Sequence, residues 1–154
     1  MKTMRMIIAA IGLSLFGQAA SAQTTKPAFI AYLSVKDALV ATDADKAKAK
    51  AEELVSAFNK VAASALSTTD QKALTAAKAS AASISKTSEI EVQREQFETL
   101  SKNMIVLAKS TKPSKAYVQF CPMKDASWLS DKKEVANPYY GSKMLKCGKV
   151  TDEI

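Results

Sequence analysis

The 154-residue sequence contains no histidine, four glycines, two cysteines and a single tryptophan. Without histidine, the chain lacks the usual general base for a serine or cysteine nucleophile and the commonest nitrogen ligand for a metal. It also has no GxSxG nucleophile elbow and no glycine-rich loop that could hold a phosphate. We therefore expect that this protein is not an enzyme.

Arginine is also scarce, because Arg94 is the only one after the first five residues. The formal net charge is +7, but the lysines are spread in ones and twos, as in the Ala/Lys alternation of residues 46–50. Nucleic-acid binding favours clustered arginines with aromatic side chains. We expect no nucleic-acid partner, and we expect Arg94 on the surface, with tail carbonyls or an acid as its alternative partners.

Long apolar runs are absent after the N-terminal segment. There, Lys2 and Arg5 precede an apolar run from Met6 to Phe16, and Ala20-Ser21-Ala22 supplies the small residues that a signal peptidase requires. We predict a signal peptide over 1–22 and a single soluble domain over 23–154. The location would be periplasmic, with no stable membrane anchor after cleavage.

Four stretches with few glycines carry apolar residues at helical spacing, beginning near Pro27, Thr42, Thr68 and Ser88. The last three begin with sequences typical of helix caps. Each apolar stripe needs a neighbour to cover it, and short connections make neighbouring helices antiparallel. We predict an all-α fold, a four-helix up-and-down bundle over 27–110.

The C-terminal segment, 113–154, differs in composition and contains both cysteines. Residues 116–120 alternate in polarity, Asn137-Pro138 and Tyr140-Gly141 are turn signals, and residues 149–150 could pair back on the first strand. We predict that this segment packs against the bundle, with a short β-hairpin as its candidate secondary structure.

Cys121 and Cys147 admit two interpretations. Paired cysteines in an exported protein usually form a disulfide, and closing a loop of this length would stabilise the fold by about 3.5 kcal/mol. In the other interpretation, Met123 and Met144 join the two cysteines as ligands for a soft ion, since thiolates and thioethers select Cu(I). Trp128 would then shield the bound metal.

The tail motif CPM...WLS...NPYYGSKMLKCG resembles a secreted bacterial domain of unknown function. That domain occurs alone behind a signal peptide and also at the C-terminus of periplasmic adaptors of Cus-type heavy-metal efflux pumps. The stretches AYLSVKDALVATDADKAKAKAEEL and QREQFETLSKNMIVL are similar to its helices. The tail positions that match are Cys121, Pro122, Met123, Trp128, Leu129, Asn137, Pro138, Tyr139, Tyr140, Gly141, Met144, Leu145, Cys147 and Gly148.

The resemblance implies a periplasmic accessory protein that binds copper(I) or silver(I), with an efflux adaptor or another protein as its partner. Relatives often carry histidines on their helices, whereas this chain has none. A metal site that depends on a helix imidazole is therefore not expected here. The alternative remains a non-enzymatic structural or interaction domain with a Cys121–Cys147 disulfide.

Overall fold

The computed structural model describes residues 15–154, and the side-chain surroundings from residue 19 onward. The fold is mostly helical, with α1 (Leu15–Val40), α2 (Ala44–Asn59), α3 (Thr68–Ile84) and α4 (Ile90–Thr111), and with short 3-10 turns at Ala63–Ala65 and Gly141–Lys143. Consecutive helices pack on one another, and α4 also packs on α1. These contacts confirm the predicted helical bundle.

The prediction of an all-α fold is wrong in the tail, which forms a three-stranded antiparallel sheet. Its strands are β1 (Tyr117–Cys121), β2 (Ala126–Ser130) and β3 (Lys149–Glu153), in the order β2-β1-β3. The sequence indicated β1 and the beginning of β3. It did not indicate β2, because four of its five residues are buried and the strand therefore lacks the alternation of a half-buried strand.

The predicted beginning of the first helix at Pro27 is also wrong, since α1 begins at Leu15 and contains Pro27. Proline removes one helical hydrogen bond, so the turns before it need other support. Thr24 Oγ1 accepts a hydrogen bond from the backbone of Ala62 at 2.7 Å, and Thr25 Oγ1 donates one to Thr111 Oγ1 at 2.9 Å. These contacts tie the turns before Pro27 to the bundle.

The predicted leader falls mainly on residues 1–14, which lie outside the described residues. Its last residues, 15–22, are helical and form the first part of α1. Within the part of the chain that the structure describes, none of the helices combines the length and the apolar character needed to cross a membrane.

Aromatic side chains join the sheet to the bundle. Tyr32 of α1 stacks on Phe97 of α4 at 5.2 Å between ring centroids, Phe97 contacts Tyr139 at 5.9 Å, and Tyr139 meets Trp128 of β2 edge-on at 5.9 Å. The Tyr32 hydroxyl also accepts a hydrogen bond from the backbone N–H of Leu129 at 3.1 Å. All five side chains are buried, so the tail and the bundle share one core.

Candidate functional site

The two cysteines meet at one end of the sheet. Cys121 is the last residue of β1, and Cys147 lies two residues before β3, which pairs with β1. Phe120 lies opposite Lys149 in this pairing. Cys121 follows Phe120, and Cys147 comes two residues before Lys149, so the two thiols meet at the same end of the paired strands. Both cysteines are free, and their Sγ atoms lie 3.4 Å apart.

The turn between β1 and β2 surrounds the Cys121 sulfur with hydrogen-bond donors. Burial raises the pKa of the Cys121 thiol, but hydrogen bonds outweigh this effect and lower the pKa below its ordinary value. The donors are the backbone N–H groups of Lys124 and Met123 and the side chains of Cys147 and Asn137. The Cys121 sulfur is thus buried and surrounded by donors that favour its thiolate form.

Cys147 behaves in the opposite way. The hydrogen bond that its thiol donates to Cys121 raises the pKa of Cys147, and desolvation adds to this effect. The ionisations of the two thiols therefore depend on one another, and the contacts favour the first negative charge on Cys121. Cys121 is fully buried, whereas Cys147 is partly exposed, so the pair has a protected side and a side that faces solvent.

Asn137 holds the chain around Cys147 and was predicted only as part of a turn. It is fully buried, its Nδ2 donates to the carbonyl oxygen of Cys147 at 2.8 Å, and its backbone N–H donates to that of Leu145 at 2.9 Å. Its Oδ1 accepts from the backbone N–H groups of Tyr139 and Tyr140. The Asn-Pro sequence was the signal for a turn, but the contact with Cys147 links residues ten apart and had no local signal.

The two methionines lie beside the thiols in different ways. The Met123 backbone N–H points toward both sulfurs, while its side chain is 66% exposed. Met144 is partly buried, and its carbonyl oxygen accepts the backbone N–H of Cys147 at 3.0 Å. The two thiols are therefore in contact. Each methionine lies within three residues of one of the cysteines in the sequence, and the Met123 thioether is directed to solvent.

Trp128 lies in the core beneath this region. Its ring is fully buried, and a Cβ added to Gly148, the residue after Cys147, would lie 3.0 Å from its Cη2 atom. Gly148 has a φ of +149°, a conformation that favours glycine. Because the ring is buried, Trp128 can form the floor behind the thiol pair, but it cannot form a lid on the solvent side.

Arg94 is buried, so its predicted surface position is wrong, while the predicted contact with a tail carbonyl is correct. Nε donates to the carbonyl oxygen of Pro138 at 3.0 Å, and Nη2 donates to Thr42 Oγ1 at 3.1 Å. Nη1 pairs with Glu91 at 3.1 Å. The contact with Pro138 holds the residue next to Asn137, so Arg94 supports the site from a distance.

Hard cations lack a comparable set of ligands. Across residues 15–154, no group of three or more His, Cys, Asp or Glu side chains could hold a metal ion. The chemistry of the site is therefore that of two thiols with neighbouring thioethers, which suits soft ions and thiol–disulfide reactions.

Comparison with known proteins identifies a family for this chain. The model of a family described as "Protein of unknown function (DUF3347)" matches residues 28–116, which include the second half of α1, all of α2 to α4 and the beginning of the chain that leads into the sheet. The thiol pair lies after the matched residues. Neither a curated protein nor a solved structure matches the chain.

Proposed function

Since the chain belongs to the family of proteins of unknown function DUF3347, which carries no activity with it, we propose a function from the thiol pair: a periplasmic accessory protein that binds Cu(I) or Ag(I). Cys121 and Cys147 are the thiolate ligands. Met123 and Met144 supply thioether ligands, and Trp128 closes the site from the core side. The proposal includes no catalytic activity.

The observation that carries the proposal is the 3.4 Å separation of the two sulfur atoms. With metal–sulfur bonds of about 2.3 Å, as in zinc–thiolate sites, two ligands of a tetrahedral ion lie about 3.8 Å apart, whereas a disulfide bond is about 2.05 Å long. The thiols need to move apart by only about 0.4 Å to share an ion of this size. A reduced, metal-ready pair is thus compatible with the fold.

Hydrogen bonds around Cys121 favour the same function. Metal-bound sulfur must be deprotonated, and the backbone N–H groups of Met123 and Lys124 stabilise the Cys121 thiolate before any ion arrives. Hydrogen bonds of this second layer also fix the direction in which a ligand points. Asn137 fixes the direction of the chain that carries Cys147, because its side-chain amide donates to the Cys147 carbonyl oxygen.

The exposed Met123 side chain suits a protein that must pass its ion on. A thioether at the surface can bind a soft ion as it arrives or leaves, while the buried Cys121 holds it. Leu145 is a second exposed apolar side chain in the same segment. Together they offer an apolar contact for a partner, for which the resemblance of the tail suggests a periplasmic efflux adaptor.

Competition with a chromophoric Cu(I) chelator, run without oxygen on reduced and oxidised protein, tests the proposal. We expect one Cu(I) per reduced chain and a large loss of affinity on oxidation. The double variant Met123→Leu/Met144→Leu should bind roughly tenfold or more weakly. Met104→Leu, a change in the bundle core, is the matched control. Equal affinity in the double variant would refute the methionine ligands, and no binding in either state would refute the metal site.

The same sulfur separation also supports a second candidate, a structural or interaction domain in which Cys121 and Cys147 form a disulfide. In this case the oxidised pair would fasten the loop before β3 to the end of β1. The NPYYG segment is a weak candidate for a binding edge, because Asn137, Pro138 and Tyr139 are buried. Thiol counting on protein isolated from the periplasm separates the candidates: two free thiols favour the metal site, and none favours the disulfide.

A further inference from the structure

We infer that the thiol pair also carries out thiol–disulfide exchange, in which Cys147 reacts with a small anionic disulfide and Cys121 then displaces the adduct. This inference does not depend on metal binding, because it uses only the exposure and contacts of the two sulfurs. It assigns to Cys147 a site of covalent modification and to Cys121 the role of the resolving thiol.

Exposure determines which sulfur an external molecule reaches. Cys121 is fully buried at the end of β1, whereas Cys147 is partly exposed in the loop before β3. Exchange requires the attacking sulfur to approach along the disulfide axis, so access to the thiol limits the rate. An external disulfide therefore meets Cys147 and cannot reach Cys121 in the folded protein.

The reaction balances with a disulfide, RSSR, as the oxidant. Cys147 Sγ attacks one sulfur of RSSR, which forms a Cys147–SR mixed disulfide and releases the first RSH with the proton from Cys147. Cys121 Sγ, 3.4 Å away, then attacks Cys147 Sγ, which forms the Cys121–Cys147 disulfide and releases the second RSH with the proton from Cys121. The two cysteines lose two electrons, and RSSR gains them.

The contacts of Cys121 make this disulfide reducible rather than permanent. In the reverse reaction, an external thiolate attacks the accessible Cys147 Sγ, and Cys121 Sγ is the leaving group. The backbone N–H groups of Met123 and Lys124 and the Asn137 amide already point at this sulfur and stabilise the thiolate as it leaves. A purely structural disulfide would not need these donors on one of its sulfurs.

Charge around Cys147 selects the class of disulfide. Lys143, Lys146 and Lys149 lie within four residues of Cys147, and all three are exposed. Exposed charges attract oppositely charged small molecules and raise their encounter rate at low ionic strength. Glutathione disulfide, which is anionic, is therefore a suitable probe, with the neutral 2-hydroxyethyl disulfide as its control.

The experiment uses the reduced, metal-free protein with a chelator present, and intact-mass measurement over time. Wild type should release two equivalents of glutathione and end two hydrogen atoms lighter, without an adduct. Cys121→Ser should keep one glutathione on Cys147. Cys147→Ser should react roughly tenfold or more slowly. Glutathione disulfide should outpace the neutral disulfide at low salt, and the difference should shrink as salt is added.

Other outcomes would overturn the inference. Equal rates for the two serine variants would refute the role of exposure, and a stable adduct on wild type would refute Cys121 as the resolving thiol. Equal rates for the two disulfides would refute the anionic substrate. If a variant does not fold, wild type is treated instead with less iodoacetamide than its thiols can consume. The exposed thiol, Cys147, must then be alkylated first. Cu(I) binding is absent from every step, so failure here and failure of the metal site are distinguishable.

Discussion

Arg94 Nε donates a hydrogen bond to the carbonyl oxygen of Pro138 at 3.0 Å, across 44 residues of sequence. This contact joins the first turns of α4 to the loop that contains Asn137 and, through it, to Cys147. Gly141, in the same loop, has a φ of +57°, and a Cβ there would lie 2.8 Å from Arg94 Nη2. The loop and the guanidinium group therefore fit together with no room for a larger residue.

Replacing Arg94 with methionine should lower the free energy of unfolding by about 2–4 kcal/mol. Methionine keeps much of the apolar volume but removes the donors to Pro138, Leu39 and Thr42, so buried carbonyl groups lose their partners. Urea denaturation followed by circular dichroism measures the change. Lys102→Met, an exposed position on the same helix, is the control and should shift stability by about 0.5 kcal/mol or less. Equal effects at the two positions would contradict the role given to Arg94.

The Tyr32 hydroxyl is a second connection between bundle and sheet, and Tyr32→Phe should cost about 1–3 kcal/mol. Tyr32 is fully buried, hydrogen-bonds Ser101 Oγ at 2.7 Å and accepts the backbone N–H of Leu129 at 3.1 Å. Phenylalanine keeps the stacking on Phe97 but removes the hydroxyl that pairs with Ser101 Oγ and with the Leu129 N–H. Denaturant midpoints of wild type and variant measure the cost.

Tyr140→Phe is the matched control, because its hydroxyl makes only a long, exposed contact with the Met123 carbonyl oxygen at 3.4 Å. Its stability should change by about 0.5 kcal/mol or less. A Tyr32→Phe protein as stable as the control would show that the hydroxyl contributes nothing to the attachment of the sheet.

The bundle was predictable because its signal is local. Apolar residues at helical spacing and polar residues at helix beginnings lie within a few turns of one another, although the caps differ by a residue from prediction. Asp43, not Thr42, caps α2 by accepting the backbone N–H of Lys46 at 3.0 Å. Ser67, not Thr68, caps α3.

Thr42 shows why the cap was misplaced. It has a φ of +58°, and its hydroxyl accepts a hydrogen bond from Arg94. A β-branched residue adopts this conformation only when tertiary contacts hold it there. The same reason explains why Arg94 was expected on the surface. Its partners are Leu39 and Thr42, at the end of α1 and just after it, and Pro138 in the tail, and neither connection is visible in the local sequence.

The thiol pair was predicted as a pair, but its asymmetry was not. Sequence spacing brought Cys121, Met123, Met144 and Cys147 together as candidate ligands. The exposure of Met123 and the hydrogen bonds to Cys121 follow from the turn between β1 and β2, where Asp125 has a φ of +54°. The burial of Trp128 follows from β2, a strand that the sequence did not indicate.

Ionisation of the reduced thiols should occur in two steps that belong to the pair, the first below the ordinary pKa of cysteine and the second above it. Backbone donors favour the Cys121 thiolate, while the hydrogen bond to Cys121 disfavours ionisation of Cys147. Thiolate absorbance followed against pH measures both. Burial raises the pKa of Tyr32 and Tyr139, so phenolate absorbance from these two side chains stays out of the pH range in which the thiols are titrated.

The serine variants assign the steps. Cys121→Ser should lose the lower step, and Cys147→Ser should keep it, because the backbone N–H groups remain and a serine hydroxyl can also donate to the thiolate. A single step at the ordinary pKa in both variants would contradict the hydrogen-bonding arrangement around Cys121.

The matched family region ends at Ala116, but we predict that a chain ending there will not fold to the stability of the full protein. Trp128, Leu129 and Tyr139 are buried, and each such side chain contributes about 1.5–3 kcal/mol. Without them, Phe97 loses its contact with Tyr139 and the Tyr32 hydroxyl loses Leu129. We expect a loss of about 3 kcal/mol or more, measured by thermal and urea unfolding.

A chain ending at Gly148 is the control for this truncation, since it removes only β3, of which four residues are exposed. It should lose less stability than the chain ending at Ala116, although the backbone bonds between Ala116 and Ile154 are absent. If the chain ending at Ala116 unfolded cooperatively at the midpoint of the full protein, the sheet would be a separate appendage. The conclusion that tail and bundle share one core would then be wrong, and so would the conclusion that Arg94 supports the thiol pair through the fold.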